Sequence, residues 1–570
     1  MKRLLLIIWS LSVYVSLSAG VKVPKGCNIY GQVTCDGQAC AGVWVSDGVN
    51  VVKTDRKGFY YLDSDKKEGT VFVSVPSCTE VKTEHGMPEF WHRLSSRTDS
   101  VERHDFSLTH VDNKNFALIA VSDIHLANVH DDMRQFKDIF MPRLREEVEK
   151  YASRGIPVYC LNCGDTSYDR YWYEYLYSIE DLPGTLRDVD FPVPMFHVMG
   201  NHDNDGAVAG EGDVDFLAAE RYRRTMGPTR YSFNIGKVHF VVLDNIVYRN
   251  DEGRIDTYEG ISGRRNYETY LREDALEWLR KDLATVTDKK CPIVVGMHAP
   301  AMAYEKGIAG GTVYSRFRRA GYESDAMLQE FSEIFKDFEQ VHLITGHTHK
   351  NRLCRGADDT SKFPYIGNMI DHNISGVCGV WWMTECYGGL SLSEDSAPAG
   401  FETFTVDGSK LEWYFVSNDD GASQQFRVFD MNCVRDYYRD NGEVRVFLKH
   451  YPAKTDYAGI EDNLLLIHVW AWESTWKISV KEDGVELPVT PCRAENPQYT
   501  ISYLLPKTLW EDNEPSRFPS KYSKKQKNMN FFKVKAGSAD STIEVRVTDT
   551  FGNEYVQTVA RPKPFNKLMR

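Results

Sequence analysis

Six short apolar runs, FALIAVSD, PVYCLNCGD, PMFHVMGN, HFVVLDN, CPIVVGMH and VHLITGH, punctuate residues 116 to 347. Between them lie segments near 132 to 153, 214 to 226, 269 to 284 and 324 to 338 whose apolar residues recur at helical spacing. Buried strands alternating with helices predict a layered α/β domain over residues 115–370, with functional loops at the carboxyl ends of its strands. The flanks differ. From 22 to 110 the runs NIYGQVTC, AGVWVS, GFYYLDSD and TVFVSVPS are separated by Gly and Asp turn signals, the pattern of a β-sandwich. From 375 to 565 the helical period fades. FETFTVDGSKLEWYFVS, EVRVFLKHY, NLLLIHVWAW, WKISVKEDGVELPV and STIEVRVTDTFGNEYVQTV predict a second all-β region, Ig-like in character.

Composition adds an address. The chain of 570 residues is 42% hydrophobic and 26% charged, ordinary for globular domains and long enough for about three of them. Residues 1–20, MKRLLLIIWSLSVYVSLSAG, join two basic residues to a short apolar core and a small-residue end. Such a segment is a secretory signal, too short and wrongly flanked for a membrane span, and predicts a periplasmic or secreted protein with no transmembrane segment after cleavage. Its loss takes the formal charge from −13 to −15. That balance disfavours polynucleotides and anionic bilayers as partners. Twelve cysteines in an exported chain permit disulfides, and Cys35 with Cys40 and Cys378 with Cys386 are the candidate pairs. Cys160 and Cys163 lie i, i+3 on a buried strand, where side chains point to opposite faces, so they read as two unconnected thiols. KYSKKQKN reads as a solvated basic loop.

The chemistry gathers where the strands end. Asp123 and His125 follow the first run, Asp165 the second, Asn201 and His202 the third, His298 the fifth, and His347 and His349 the last. Taken singly, Asp123 and Asp165 fit helix caps, Asn201 and His202 a turn, and His298 a loop. Taken together, carboxylate, amide and imidazole donors at successive strand ends suit divalent ions such as Zn, Mn or Fe. No thiolate belongs to the set, which argues against a structural zinc site. On extended backbone the i, i+2 pairs Asp123/His125 and His347/His349 would each offer two donors to one side. His130, His197, His239 and His342 match no part of this pattern and read as structural.

In this order and with these gaps, DIH, GD, GNHD, MH and GHTH resemble the calcineurin-like metallophosphoesterases across about residues 115 to 370. The flanking regions, with MGPTRYSFNIGKVHFVVLDN, resemble the secreted bacterial branch that carries its own amino- and carboxyl-terminal β domains, and GVWVSDGVNVVKTDRKGFYYL resembles carboxypeptidase-regulatory-like sandwiches. The resemblance implies a four-layer α/β/β/α core and two divalent ions sharing Asp165, which can give an oxygen to each. Asp123, His125 and His349 would complete the first ion's ligands, and Asn201, His298 and His347 the second's. His202 would be the acid for the leaving group, oriented by Asp203, and a phosphomonoester or phosphodiester would be hydrolysed by metal-bound hydroxide. GDTSY also places Tyr168 where purple acid phosphatases carry an iron-binding tyrosine. Because His125 is present to fill that position, Tyr168 is expected behind the ligands or facing substrate, with no purple band.

DHNISGVCGVWW, shortly after the last ligand loop, nominates Asn373, Trp381 and Trp382 as substrate contacts; the tryptophans fit an interdomain core equally well. Exposed aromatics would suit a phosphorylated small molecule, a glycan or a lipid headgroup. Two alternatives stand beside the phosphoesterase: a nucleotidase or nuclease, and a non-catalytic envelope or glycan-binding protein with a vestigial metal site.

Overall fold

The computed structural model describes residues 22–250, 254–256, 260–262, 265–511 and 528–570; the leader and nearly all of KYSKKQKN lie outside them. Numbered along the chain, the core strands are β1 (Asn115–Val121), β2 (Val158–Asn162), β3 (Met195–His197), β4 (Tyr231–Ile235), β5 (Val238–Val242), β6 (Ile293–Gly296), β7 (Val341–Thr345), β8 (Arg352–Arg355), β9 (Met369–Asn373), β10 (Gly400–Asp407) and β11 (Lys410–Ser417). They form two mixed sheets, in order β3-β2-β1-β10-β11 and β4-β5-β6-β7-β9-β8. Each apolar run became a strand, and parallel pairing of β1 with β2 and of β5, β6, β7 and β9 in turn brings their carboxyl ends to one edge.

Alternation along β1 shows how the sheets pack. Phe116, Leu118 and Ala120 share a core with the second sheet, while Ala117, Ile119 and Val121 share another with Phe136, Phe140, Leu144, Leu182 and Leu186. Between the sheets Phe196 stacks on Phe233 with centroids 3.7 Å apart, and Phe233 on Phe240 at 4.8 Å. Such pairs add about 0.5–1.5 kcal/mol each beyond the area they bury. Helices Glu273–Leu283 and Ser324–Glu333 supply Trp278, Leu279, Leu328 and Phe331 to the first of these cores. Cys160 and Cys163 fall in different cores, as opposite faces require, and all twelve cysteines are free thiols. The candidate pairs Cys35–Cys40 and Cys378–Cys386 are therefore not bonded.

Two expectations change. The core extends to Ser417, past the break expected at 370–375, because β10 pairs antiparallel with β1 and completes its sheet. The carboxyl-terminal region is not all-β. It holds two four-stranded antiparallel sheets, but EVRVFLKHY is helix Gly442–His450, next to helix Met431–Asp440. Val444 and Phe447, three apart, are buried while Val446 is 54% exposed, and the Asn441 side chain accepts from Val444 N–H as the cap. The amino-terminal β region packs directly on the core: Phe72 meets Trp278 at 6.2 Å, and Trp278 Nε1 donates to Ser46 Oγ at 3.1 Å.

Candidate metal centre

All seven expected ligands converge at the edge where the parallel strands end. They lie in the loops beyond the strands, not on extended backbone. Asp123, His125, Asp165, His347 and His349 all have φ between 49° and 68°. Left-handed conformations cost non-glycine residues about 1–3 kcal/mol each and persist only where the surroundings impose them. Here the loops brace one another. Asp123 N–H donates to Gly164 O and His125 N–H to Asp165 O, both at 2.9 Å, and Gly346 N–H to His298 O at 2.9 Å. Two glycines make the approach possible. A Cβ on Gly200 would lie 2.2 Å from Asp165 Oδ1, and one on Gly346 would lie 1.7 Å from Ser122 Oγ.

The donors form two groups that meet at one atom. In the first, His125 Nε2 is 3.0 Å from His349 Nε2 and 3.7 Å from Asp165 Oδ2, and His349 Nε2 is 3.3 Å from Asp123 Oδ1. In the second, His298 Nε2 is 3.1 Å from Asp165 Oδ2 and 3.0 Å from Asn201 Oδ1, and His347 Nδ1 is 2.9 Å from Asn201 Oδ1. Asp165 thus presents the same oxygen, Oδ2, to both groups, where one oxygen for each was expected. Its Oδ1 accepts from His202 N–H at 2.7 Å.

The contacts fit cations better than hydrogen bonds. His349 Nδ1 faces Gly379 O and His298 Nδ1 faces Cys163 O, both at 2.8 Å. Those carbonyls hold a proton on Nδ1, which turns the Nε2 lone pairs toward the other donors. Asp123 Oδ1 is buried and has no hydrogen-bond partner. Ligand bonds of about 2.0–2.2 Å place neighbouring donor atoms roughly 3–3.5 Å apart, the spacing seen here. Cys378 Sγ lies 3.7 Å from His349 Nδ1, behind the ring, so the thiol stands outside the group.

Charge agrees with this geometry. Burial alone would raise the Asp123 carboxyl, yet the charge of His349 and the close approach of the His125 and His349 rings hold it well below its ordinary value. Against burial, Asp165 likewise stays low beside His298. These carboxylates in turn raise His298 to about 9 despite its burial, whereas burial lowers His125 to about 4 and His347 to about 3. Without a cation, a proton on His298 partly balances the negative charge; a metal ion would replace it.

His202 stands beside the groups, its ring 5.1 Å from that of His125. The carboxylate that orients it is Asp169, with Oδ1 2.7 Å from His202 Nδ1. Asp203, expected in that role, instead accepts from the backbone N–H groups of Thr166, Ser167 and Gly200, each at 3.0 Å. It ties the GD loop to the GNHD loop. Tyr168 packs edge-on against His202 at 4.7 Å and His125 at 5.1 Å. The neighbouring tryptophans separate. Trp381, half-buried, lies 4.9 Å from the His349 ring, whereas Trp382 is buried and donates Nε1–H to Ile124 O at 2.8 Å, a core role. Asn373 is buried, and its amide binds Gly346 O and the Thr348 hydroxyl, so it braces the last ligand loop.

Sequence reasoning missed Asp169 and Tyr267. Asp169 follows Asp165 by four residues and opens the short helical turn Asp169–Tyr171, a position that no strand-end rule covers. Tyr267, 5.7 Å from the His347 ring, comes from a strand pair distant in sequence from every motif. His197, His239 and His342 lie elsewhere; His239, for example, pairs with Asp282 at 2.8 Å.

Comparison with known proteins divides the chain into three parts, with the last boundary earlier than the end of the core sheets. Residues 116–351 match the family model "Calcineurin-like phosphoesterase", 27–111 its "N terminal" model and 371–555 its "C terminal" model. A serine/threonine-protein phosphatase CPPED1 from Bos taurus is 26% identical over 199 residues, which are 34% of this chain and 54% of that protein. The Pongo abelii protein of the same name is 38% identical over 71 residues, 12% of this chain and 21% of its own. The chain thus spans about half or less of these relatives' length. A solved dimetal phosphatase from Danio rerio aligns with 53% of this chain and 96% of its own at 12% identity and TM-score 0.33. With matches to the catalytic-domain model and to both of its dedicated flanking models, leaving only short connectors and the two ends uncovered, the chain belongs to the calcineurin-like phosphoesterase family.

Proposed function

We propose that the protein is an exported, metal-dependent phosphoric ester hydrolase acting on a phosphomonoester or phosphodiester. The observation that carries this is the meeting of two donor groups at Asp165 Oδ2, with the His202–Asp169 pair beside them. Asp123, His125, His349 and Asp165 would hold one divalent ion, and Asp165, Asn201, His298 and His347 a second. Such ions acidify water and neutralise charge on phosphoryl oxygens. The chain's own residues do the rest. Asp169 occupies His202 Nδ1, which leaves Nε2 to pass its proton to the departing oxygen as the phosphorus–oxygen bond breaks and water oxygen adds to phosphorus. Tyr168 and Trp381 wall the approach on the first group's side, and Tyr267 on the second's.

Phosphorylated small molecules, glycans and lipid headgroups are the substrate classes that suit an aromatic-rimmed site on an acidic protein. Turnover of an aryl phosphate by Mn-loaded protein, lost in His202→Ala while metal content stays, tests the proposal. Turnover that survives in that variant would refute it. Export rests on the leader at 1–20; a mature amino terminus beginning at Met1 would overturn that part. Among the described residues no helix is long and apolar enough to cross a membrane.

A further inference from the structure

Tyr168, Tyr171 and Tyr175 are spaced three and four apart in GDTSYDRYWYEYL, the interval at which helical turns bring side chains to one side. The backbone keeps to that spacing. Tyr171 N–H donates to Tyr168 O at 3.0 Å and Tyr175 N–H to Tyr171 O at 2.9 Å. The rings follow: Tyr168 meets Tyr171 edge-on with centroids 5.1 Å apart, and Tyr171 meets Tyr175 in the same way at 5.3 Å. The residues between them are anchored elsewhere. Trp172 is buried and donates Nε1–H to Ser167 Oγ at 3.2 Å, and the Tyr173 hydroxyl donates to Asp205 Oδ1 at 2.7 Å. These contacts hold the segment to the core while the three tyrosines form a row.

The row begins at the metal centre. Tyr168 lies 4.7 Å from the His202 ring and 5.1 Å from that of His125, and the turn Asp169–Tyr171 that gives Asp169 to His202 also carries Tyr171. It ends at the surface. Strand Gly260–Ser262 passes beside the same turn, yet Tyr168 and Tyr171 are only half-buried, Tyr175 is 40% exposed and Leu176 81%. Arg170 lies over the Tyr171 ring at 5.4 Å and the Glu174 carboxylate beside the Tyr175 hydroxyl, one charge of each sign. A guest here is selected by its faces rather than by its charge.

We propose that this row is the subsite for the departing alcohol of the substrate, and that the alcohol carries at least two successive rings. With His202 protonating the departing oxygen, the first ring lies against Tyr168 and the next against Tyr171 and Tyr175. This rests on the hydrolase reading and on His202 as its acid. It narrows the substrate to an ester of a glycan or of an extended aromatic alcohol, whose rings share an apolar face that tyrosines pack against.

Two pairs of esters differ by one ring while the departing oxygen stays of one kind: phenyl phosphate with biphenyl-4-yl phosphate, and glucose 1-phosphate with maltose 1-phosphate. On Mn-loaded protein, kcat/KM is expected to be about 3- to 10-fold higher for the two-ring member of at least one pair, and the pair that shows it tells an aromatic alcohol from a glycan. Tyr171→Ala and Tyr175→Ala should bring that ratio close to one, and Tyr171→Phe should keep it. Tyr175 is exposed, so its truncation leaves the fold intact. Ratios near one for both pairs in wild type, a ratio that survives both alanine variants, or a loss in Tyr171→Phe equal to that in Tyr171→Ala overturns the assignment. If wild type cleaves no phosphoester, the same four esters serve as ligands in calorimetry. A second-ring advantage in Kd that Tyr175→Ala abolishes then keeps the row and sinks the hydrolase reading; equal Kd values within both pairs sink the row as well.

Discussion

One run, VHLITGHTH, carries histidines into two regions of opposite character. His342, inside β7, belongs to a chain between the sheets: Gln340 Nε2 is 2.8 Å from His342 Nε2, His342 Nδ1 is 3.0 Å from His372 Nε2, and His372 Nδ1 is 3.3 Å from Glu402 Oε2. Five residues on, His347 enters the metal centre. Both regions are buried and both mix imidazole with carboxylate. In the first, a donor can face an acceptor from Gln340 to His372, His372 Nδ1 and Glu402 Oε2 approach without a hydrogen bond, and burial keeps the groups neutral: His372 is lowered to about 3 and Glu402 raised to about 8. In the second, imidazole nitrogens from separate loops converge on the carboxylates, and charged carboxylates persist despite burial. The first cluster is neutral without a ligand; the second keeps charged carboxylates that suit a cation. What separates them is whether the buried groups keep their charge, a matter of which side chains the backbone brings face to face rather than of residue type.

Variants can break this contrast. The largest effect is expected from Asp165→Ala, which removes the atom common to both groups. Activity on an aryl phosphate should fall by at least about 10²- to 10³-fold, with metal lost on elemental analysis. A variant that keeps both metal and activity would show that the two groups are not joined at Asp165. Next comes His202→Ala, expected to cost about 10²- to 10⁴-fold in kcat with metal retained. Asp169→Asn should produce a smaller fall in kcat, again without metal loss, and Asp203→Asn should instead lower Tm, because that carboxylate ties two loops together. If the two aspartate variants behave alike, the assignment of Asp169 as the orienting group is wrong.

The smallest effect concerns the metal-free region. Folded, Glu402 keeps its proton up to about pH 8; unfolded, it releases it near the ordinary carboxyl value of 4.5. The folded state therefore binds more protons across that window, and stability falls as pH rises through it. Glu402→Gln preserves a neutral side chain and should narrow the Tm difference between about pH 5 and about pH 8. An unaltered pH profile would mean that Glu402 is already ionised in the native protein.

The amino-acid order determined a good deal alone. Apolar runs ending in Asp, Asn or His located six of the eleven core strands, shared between both sheets, because a strand buried on both faces must be apolar throughout and its polar residues collect where it ends. The same order nominated seven ligands, since each lies within a few residues of its strand. EVRVFLKHY misled, because nine residues of mixed pattern fit either period until burial of Val444 and Phe447 selects one. Other features were decided only by tertiary structure: Asp169 rather than Asp203 on His202, Trp381 rather than Trp382 at the site, and β10 and β11 completing the first sheet. Each depends on which groups face one another across long sequence separations, and local spacing carries no information about direction once the chain turns through left-handed loops.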